Sequence, residues 1–203
     1  MGCSGSVGSA DSVTPPKTDH APQDNFTSVE DKNNRHSSPL TPTDANIMTP
    51  EQKSIILSTW KVIEKDQVLI GKKIFRQIFA YNPLVKSLFK FRSVPDDHLF
   101  EDPLFKAHAS NFMQIVSEAT RNLDTLETSY APILINLGHT HVRFRGFDPQ
   151  YFDVFFSSIL IVIEDVLGAK FTSVARMAWK TLLQFIVDKL KEGYIKEKEL
   201  MAE

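Results

Sequence analysis

The residues of this chain best able to hold a metal are six histidines and a single cysteine, Cys3. Residues 137–141 read LGHTH, which places His139 and His141 two positions apart. A His-x-His pair is a zinc arrangement on strands, where residues i and i+2 point the same way. On a helix that spacing turns about 200°, so the two rings diverge. Leu134, Leu137 and His141 recur at i, i+3, i+7, so His141 shares the apolar face. His139 is expected to point away from it, toward solvent. No His-Glu-x-x-His motif is present to make a zinc site. His20 and His36 lie in a polar tail, and His98 sits beside Asp96 and Asp97; all three read as solvated side chains.

His108 and His141 therefore stand apart, each on the apolar face of its own helix. Two readings are open for such residues. A buried histidine can be a satisfied core residue. Alternatively, imidazole suits iron, and a haem iron needs one or two axial ligands from protein. Aromatic surroundings suit a porphyrin, and 15 phenylalanines are at hand. A haem slot between two helices is the sharpest hypothesis for this pair. With one cysteine there is no disulfide within the chain, no Cys-containing zinc cluster and no Cys-x-x-Cys-His attachment, so the haem would be held without covalent bonds. This usage suits a reducing, intracellular setting.

Helices must position these rings. Thr49-Pro50-Glu51-Gln52 reads as a capping box with proline in the first turn. Ile56, Trp60 and Ile63 follow on one face. A second helix is expected from about Val68 to Ala80, stopped by Asn82-Pro83. PLVKSLFKF is a short helical turn and RSVPDDHLFED a loop. Asp102-Pro103 starts the helix bearing Phe105, His108, Phe112, Ile115 and Ala119. Ile133, Leu134, Leu137 and His141 mark the next. Asp148-Pro149 is expected to cap a helix through Phe152, Phe155, Ile159, Val162 and Val166, ended by Gly168. Thr172 caps a last helix with Trp179, Leu182, Leu183, Ile186 and Leu190 as its core stripe. Nothing reads as a strand ladder. The fold class is all-α, with about seven or eight helices in a domain over residues 47–203.

Residues 1–46 are rich in Ser, Thr, Pro, Asp and Asn, and read as a disordered tail. Its Thr14-Pro15, Ser38-Pro39 and Thr41-Pro42 pairs are potential kinase sites. The net charge is −2 and no Lys/Arg cluster stands out, which argues against a nucleic-acid binder. No run approaches the roughly 20 apolar residues of a membrane span, and no secretory signal is evident.

Over residues 48–195 the chain resembles a globin. Trp60 sits in the first helix, and Gly71 and Phe75 on the second. NPLVKSLFKF resembles the segment leading to the haem-contacting phenylalanine, which would be Phe89. FKAHASNF resembles the distal helix with His108, and LINLGHTHVRFRGFDPQYF the proximal helix and its exit with His141. FTSVARMAWKTLLQF resembles the final helix. The pattern is similar to neuroglobin-like and invertebrate globins rather than to vertebrate myoglobin.

The resemblance implies a globin fold around non-covalent haem b. His141 would be the proximal iron ligand and His108 the distal one, the probable sixth ligand of a hexacoordinate resting state. The Leu137 carbonyl would fix the His141 tautomer, with the Thr140 hydroxyl as a helper. Phe75, Phe89, Phe112 and Phe147 would complete the pocket. Phe75 and Phe112 would crowd the distal side and press His108 onto the iron. Asn111 replaces a cation often found near a haem propionate. Ligands would be O₂, CO and NO. The implied function is redox chemistry, electron transfer or gas sensing, with reversible O₂ storage or transport as the alternative. NO or nitrite chemistry would need an external reductase as partner, since no reductase domain is evident.

The first residues add a separate signal. MGCSGS fits the N-myristoylation pattern with Gly2 as acceptor. One myristoyl chain binds membranes only marginally, with K on the order of 10⁴ M⁻¹, and a stable anchor needs a second signal. The tail is not polybasic, so palmitate on Cys3 is the expected complement, as in acylated globins of the globin X type. The expected location is the cytoplasmic face of a membrane, the plasma membrane foremost, with a cytosolic pool.

Overall fold

Thr49 opens the first helix with both halves of its capping box formed. The Gln52 N–H donates to the Thr49 hydroxyl at 3.2 Å, and the Thr49 N–H donates back to the Gln52 side chain at 2.9 Å. The computed structural model describes residues 47–203. The expectations for residues 1–46, Gly2 and Cys3 included, lie outside the described residues.

Seven α-helices follow in order: α1 (Pro50–Ile63), α2 (Gln67–Tyr81), α3 (Pro83–Lys86), α4 (Pro103–Arg121), α5 (Ala131–His141), α6 (Tyr151–Leu167) and α7 (Ser173–Leu200). Among the described residues there is no strand. The caps read from sequence hold at α4 and α7. Asp102 accepts from the Phe105 N–H at 2.8 Å, and Thr172 from the Ala175 N–H at 3.2 Å. Each satisfies a backbone donor that a helix start leaves unpaired. Gly168 ends α6 at φ +51°, a conformation costly for residues with a Cβ.

Two boundaries differ from expectation. Asp148 does not cap α6; its carboxylate accepts from the Gln150 N–H at 2.8 Å, a local turn, and the helix begins at Tyr151. The stretch read as a loop before α4 contains a short 3₁₀ turn, Leu99–Glu101, whose Leu99 is buried. A wide π-type turn, Leu126–Tyr130, also leads into α5.

The helices enclose a main core and a smaller apolar cluster of Phe152, Val187 and Tyr194. Trp179 on α7 is fully buried, and its indole N–H donates to the Thr59 hydroxyl on α1 at 3.1 Å. Trp60 packs beside it, with ring centroids 6.3 Å apart. α2 and α4 cross at Gly71, where an added methyl group would lie 2.7 Å from the Ala109 carbonyl oxygen. That close crossing brings Phe75, one turn beyond Gly71, and His108, the residue before Ala109, into ring contact. α5 lies along α7 in the most extensive helix pairing of the fold. Ile133, assigned to the apolar face of α5, is instead about half exposed, at 54%.

Candidate functional site

A cavity of about 570 Å³ opens between α4 and α5, floored by α7 and walled by α2 and α6. It falls in the size range of small-molecule and cofactor sites. Phe75, Phe89, His108, Phe112, Leu137, His141 and Phe147 all border it. Residues far apart in sequence are thus brought to one space.

The α4 side is a tight aromatic cluster. Phe75 is fully buried and touches six rings, including His108 at 4.8 Å, Phe112 at 5.2 Å and Phe155 at 5.7 Å between centroids. Phe89 meets His108 from another direction, also at 4.8 Å, and both phenylalanines approach it edge-on. Phe89 in turn stacks on Phe91 at 4.9 Å. His108 is therefore held by carbon on two sides, and no hydrogen bond contributes to its ionisation. Burial foremost, and to a lesser extent the charge of His141, lowers its pKa from 6.5 to about 4. The imidazole is neutral at pH 7 and keeps a lone pair.

On the facing side, His141 is the last residue of α5. Its Nδ1 lies 2.8 Å from the Leu137 carbonyl oxygen one turn back. A carbonyl only accepts, so Nδ1 carries the proton and Nε2 is left with its lone pair. The Thr140 hydroxyl donates to the same carbonyl at 2.7 Å; it shares the acceptor rather than touching the ring. Phe147 and Phe152 flank the imidazole at 5.0 and 5.1 Å. Burial lowers the His141 pKa, and the Leu137 bond partly opposes that.

His139 does not point to solvent as its spacing suggested. Its Nε2 is buried and lacks a hydrogen-bond partner. α5 contacts α7 closely through Gly138 as well as facing the cavity, so more of its circumference is covered than its apolar stripe indicates. His98 is exposed and 3.6 Å from the Asp97 carboxylate.

Several lining residues were not singled out from sequence. Phe152, Phe155, Leu183, Ile186 and Leu190 carried a helical core signal, and a core stripe looks the same whether it meets side chains or a cavity. Phe144 and Leu104 stand half exposed on the lining, and Lys90, Asn111 and Gln114 are its exposed polar members. Among the described residues no three His, Cys, Asp or Glu side chains converge to hold a metal ion. Two neutral imidazoles across an apolar cavity fall short of the four ligands of a structural zinc site. They would suit a haem, whose macrocycle supplies four donors to iron and leaves one or two to the protein.

Residues 72–190 match the globin family model. The chain is 27% identical to neuroglobin of Danio rerio over 154 residues, covering 75% of this chain and 96% of that protein. It is 28% identical to neuroglobin-2 of Oncorhynchus mykiss, with the same coverage. Among solved structures it resembles a hexacoordinated haem protein from an anhydrobiotic tardigrade, with TM-score 0.69, 22% identity, and 73% of this chain and 96% of that one covered. It also resembles haemoglobin of the botfly Gasterophilus intestinalis, with TM-score 0.65, 18% identity, and 73% and 99% covered. With the family model spanning more than half of the sequence, from the second helix to the last, this chain belongs to the globin family.

Proposed function

We propose that this globin holds haem b between His141 and His108, with both histidines on the iron at rest, and serves redox chemistry, electron transfer or gas sensing. The observation that carries the reading is the pair of neutral imidazoles bordering one cavity from α4 and α5. Bound haem would supply one-electron chemistry and a position for a diatomic gas. The chain's own residues do the rest. The Leu137 carbonyl orients His141 and raises its basicity. Phe75 and Phe89 hold His108 edge-on, so an incoming O₂, CO or NO must displace a ring already packed in place. The mostly apolar walls would disfavour water beside the bound group. Lys90 is the cation of the lining and would pair with an anionic group at the cavity edge.

Hexacoordination separates this reading from O₂ storage or transport. His108 is free of hydrogen bonds that would compete for its lone pair, and the tardigrade protein of similar fold is described as hexacoordinated. The ligand-free ferrous absorption spectrum tests it: a split low-spin visible band supports two histidine ligands, and a single broad high-spin band supports a pentacoordinate carrier.

The membrane part of the reading rests on MGCSGS alone. Myristate on Gly2 and palmitate on Cys3 would tether the globin to the cytoplasmic face of a membrane. Among the described residues no helix is long and apolar enough to cross one. Labelled myristate and palmitate incorporation should vanish in Gly2→Ala. Cys3→Ser should keep myristate and leave the membrane fraction. A Gly2→Ala protein that stays membrane-bound contradicts the tether.

A further inference from the structure

α5 and α7 meet backbone to backbone just before His141. A methyl group added at Gly138 would lie 2.1 Å from the Leu190 carbonyl oxygen and 3.0 Å from the Tyr194 nitrogen. One added at Gly193 would lie 1.9 Å from the Ile135 carbonyl oxygen. Non-bonded heavy atoms settle near ~3.5 Å, so a side chain at either place must part the helices by on the order of 1 Å. The obstacles are main-chain atoms, which have no rotamer to turn aside.

The place of this contact matters. Gly138 follows Leu137, whose carbonyl fixes the His141 ring, and precedes His141 by one helical turn. The same turn of α7 also reaches the chain beyond His141. The Tyr194 hydroxyl donates to the Phe147 carbonyl at 3.1 Å, and the Phe147 ring lies 5.0 Å from the His141 ring. Residues 190–194 thus grip the chain on both sides of His141. The two helices are unequal partners. α5 has 11 residues and no side-chain cap at its start, while α7 has 28 residues and is anchored in the core by Trp179. α7 is the fixed rail, and α5 takes its position from it.

We propose that Gly138, Gly193 and Tyr194 are positioning residues that set how far His141 reaches into the cavity, and so the strength of its bond to a haem iron. The inference rests on the haem reading above. The clamp works through the main chain: moving α5 as a body moves the Leu137 carbonyl and the His141 Cα together, which preserves the ring's hydrogen bond and alters only its reach.

The test uses the full-length haem-loaded protein in a His108→Leu background, so that His141 is the only protein ligand. The readout is the iron–imidazole stretching band of the ferrous, ligand-free state. Gly138→Ala and Gly193→Ala should each shift the band. Tyr194→Phe adds no atoms and should shift it less. Gly168→Ala is strained at φ +51° but meets nothing within 4 Å, and should leave the band in place while lowering stability. Rescue then separates positioning from general damage. In His108→Leu/His141→Gly protein loaded with free imidazole, the ligand no longer hangs from α5, so Gly193→Ala and Tyr194→Phe should not move the band. A band unmoved by Gly193→Ala, or moved equally with free imidazole, overturns the clamp. If the glycine variants do not fold, Tyr194→Phe with and without free imidazole decides by the same criterion. A protein that takes up no haem, or shows no His141-dependent band before any clamp residue is changed, overturns the haem reading itself and the clamp with it.

Discussion

The Leu137 carbonyl accepts two side-chain hydrogen bonds at once, from His141 Nδ1 at 2.8 Å and from the Thr140 hydroxyl at 2.7 Å. The two donors compete for one acceptor. Thr140→Val removes the competitor, strengthens the bond from the imidazole and makes its Nε2 a better donor to iron. A better donor favours the ferric state. Such a bond is worth ~1 kcal/mol, and only part of it is released here. The reduction potential should therefore fall by on the order of 10 mV, on a scale where 59 mV is tenfold for one electron. Spectroelectrochemical titration of both proteins measures this, and a rise in potential contradicts it.

Burial of His108 makes the cofactor-free protein sensitive to acid. Its folded pKa of about 4 lies below the ordinary 6.5, so the unfolded chain binds more protons between those values. The stability linked to this residue is complete above about pH 6.5 and is lost as pH falls toward 4 and below. A full shift of this size corresponds to about 3 kcal/mol. Urea midpoints of apoprotein at pH 7 and pH 4.5 should differ less in His108→Leu than in the parent. An equal or larger difference would show that His108 does not carry the acid sensitivity.

Phe75 couples stability to access. It is fully buried among six rings, so Phe75→Ala should destabilise the protein by about 3–5 kcal/mol. Phe75→Leu keeps part of the volume but withdraws one of the two edges that hold His108. Carbon monoxide should then bind faster in stopped-flow mixing, because the ring is freer to leave. An unchanged rate would mean that the aromatic cluster does not control displacement.

A change away from the cavity should affect stability alone. Thr59→Val leaves the buried Trp179 N–H without its acceptor, at a cost of ~1–3 kcal/mol. Chemical denaturation should record that loss, with the haem spectrum unchanged. A spectral change would show that the α1–α7 contact reaches the site.

How much of this was legible in the sequence depended on the range of the interaction. Thr49, Asp102 and Thr172 were readable as caps because the bonds they make lie within three residues. The inward faces of His108 and His141 followed from helical spacing, and Phe75, Phe89 and Phe147 from a family resemblance. His139 was misread because Gly138 carries no hydrophobic signal, although it brings α5 against the backbone of α7. Ile133 was misread for the complementary reason, since an apolar residue at helical spacing need not be covered. The cavity itself was invisible along α7, where Leu183, Ile186 and Leu190 read as ordinary core.

The central claim is that His108 and His141 are both iron ligands at rest. The visible absorption spectrum of the ferrous, ligand-free protein tests it directly, read beside His108→Leu. The account predicts a split low-spin band in the parent that is lost in the variant. A single broad high-spin band in the parent would contradict it.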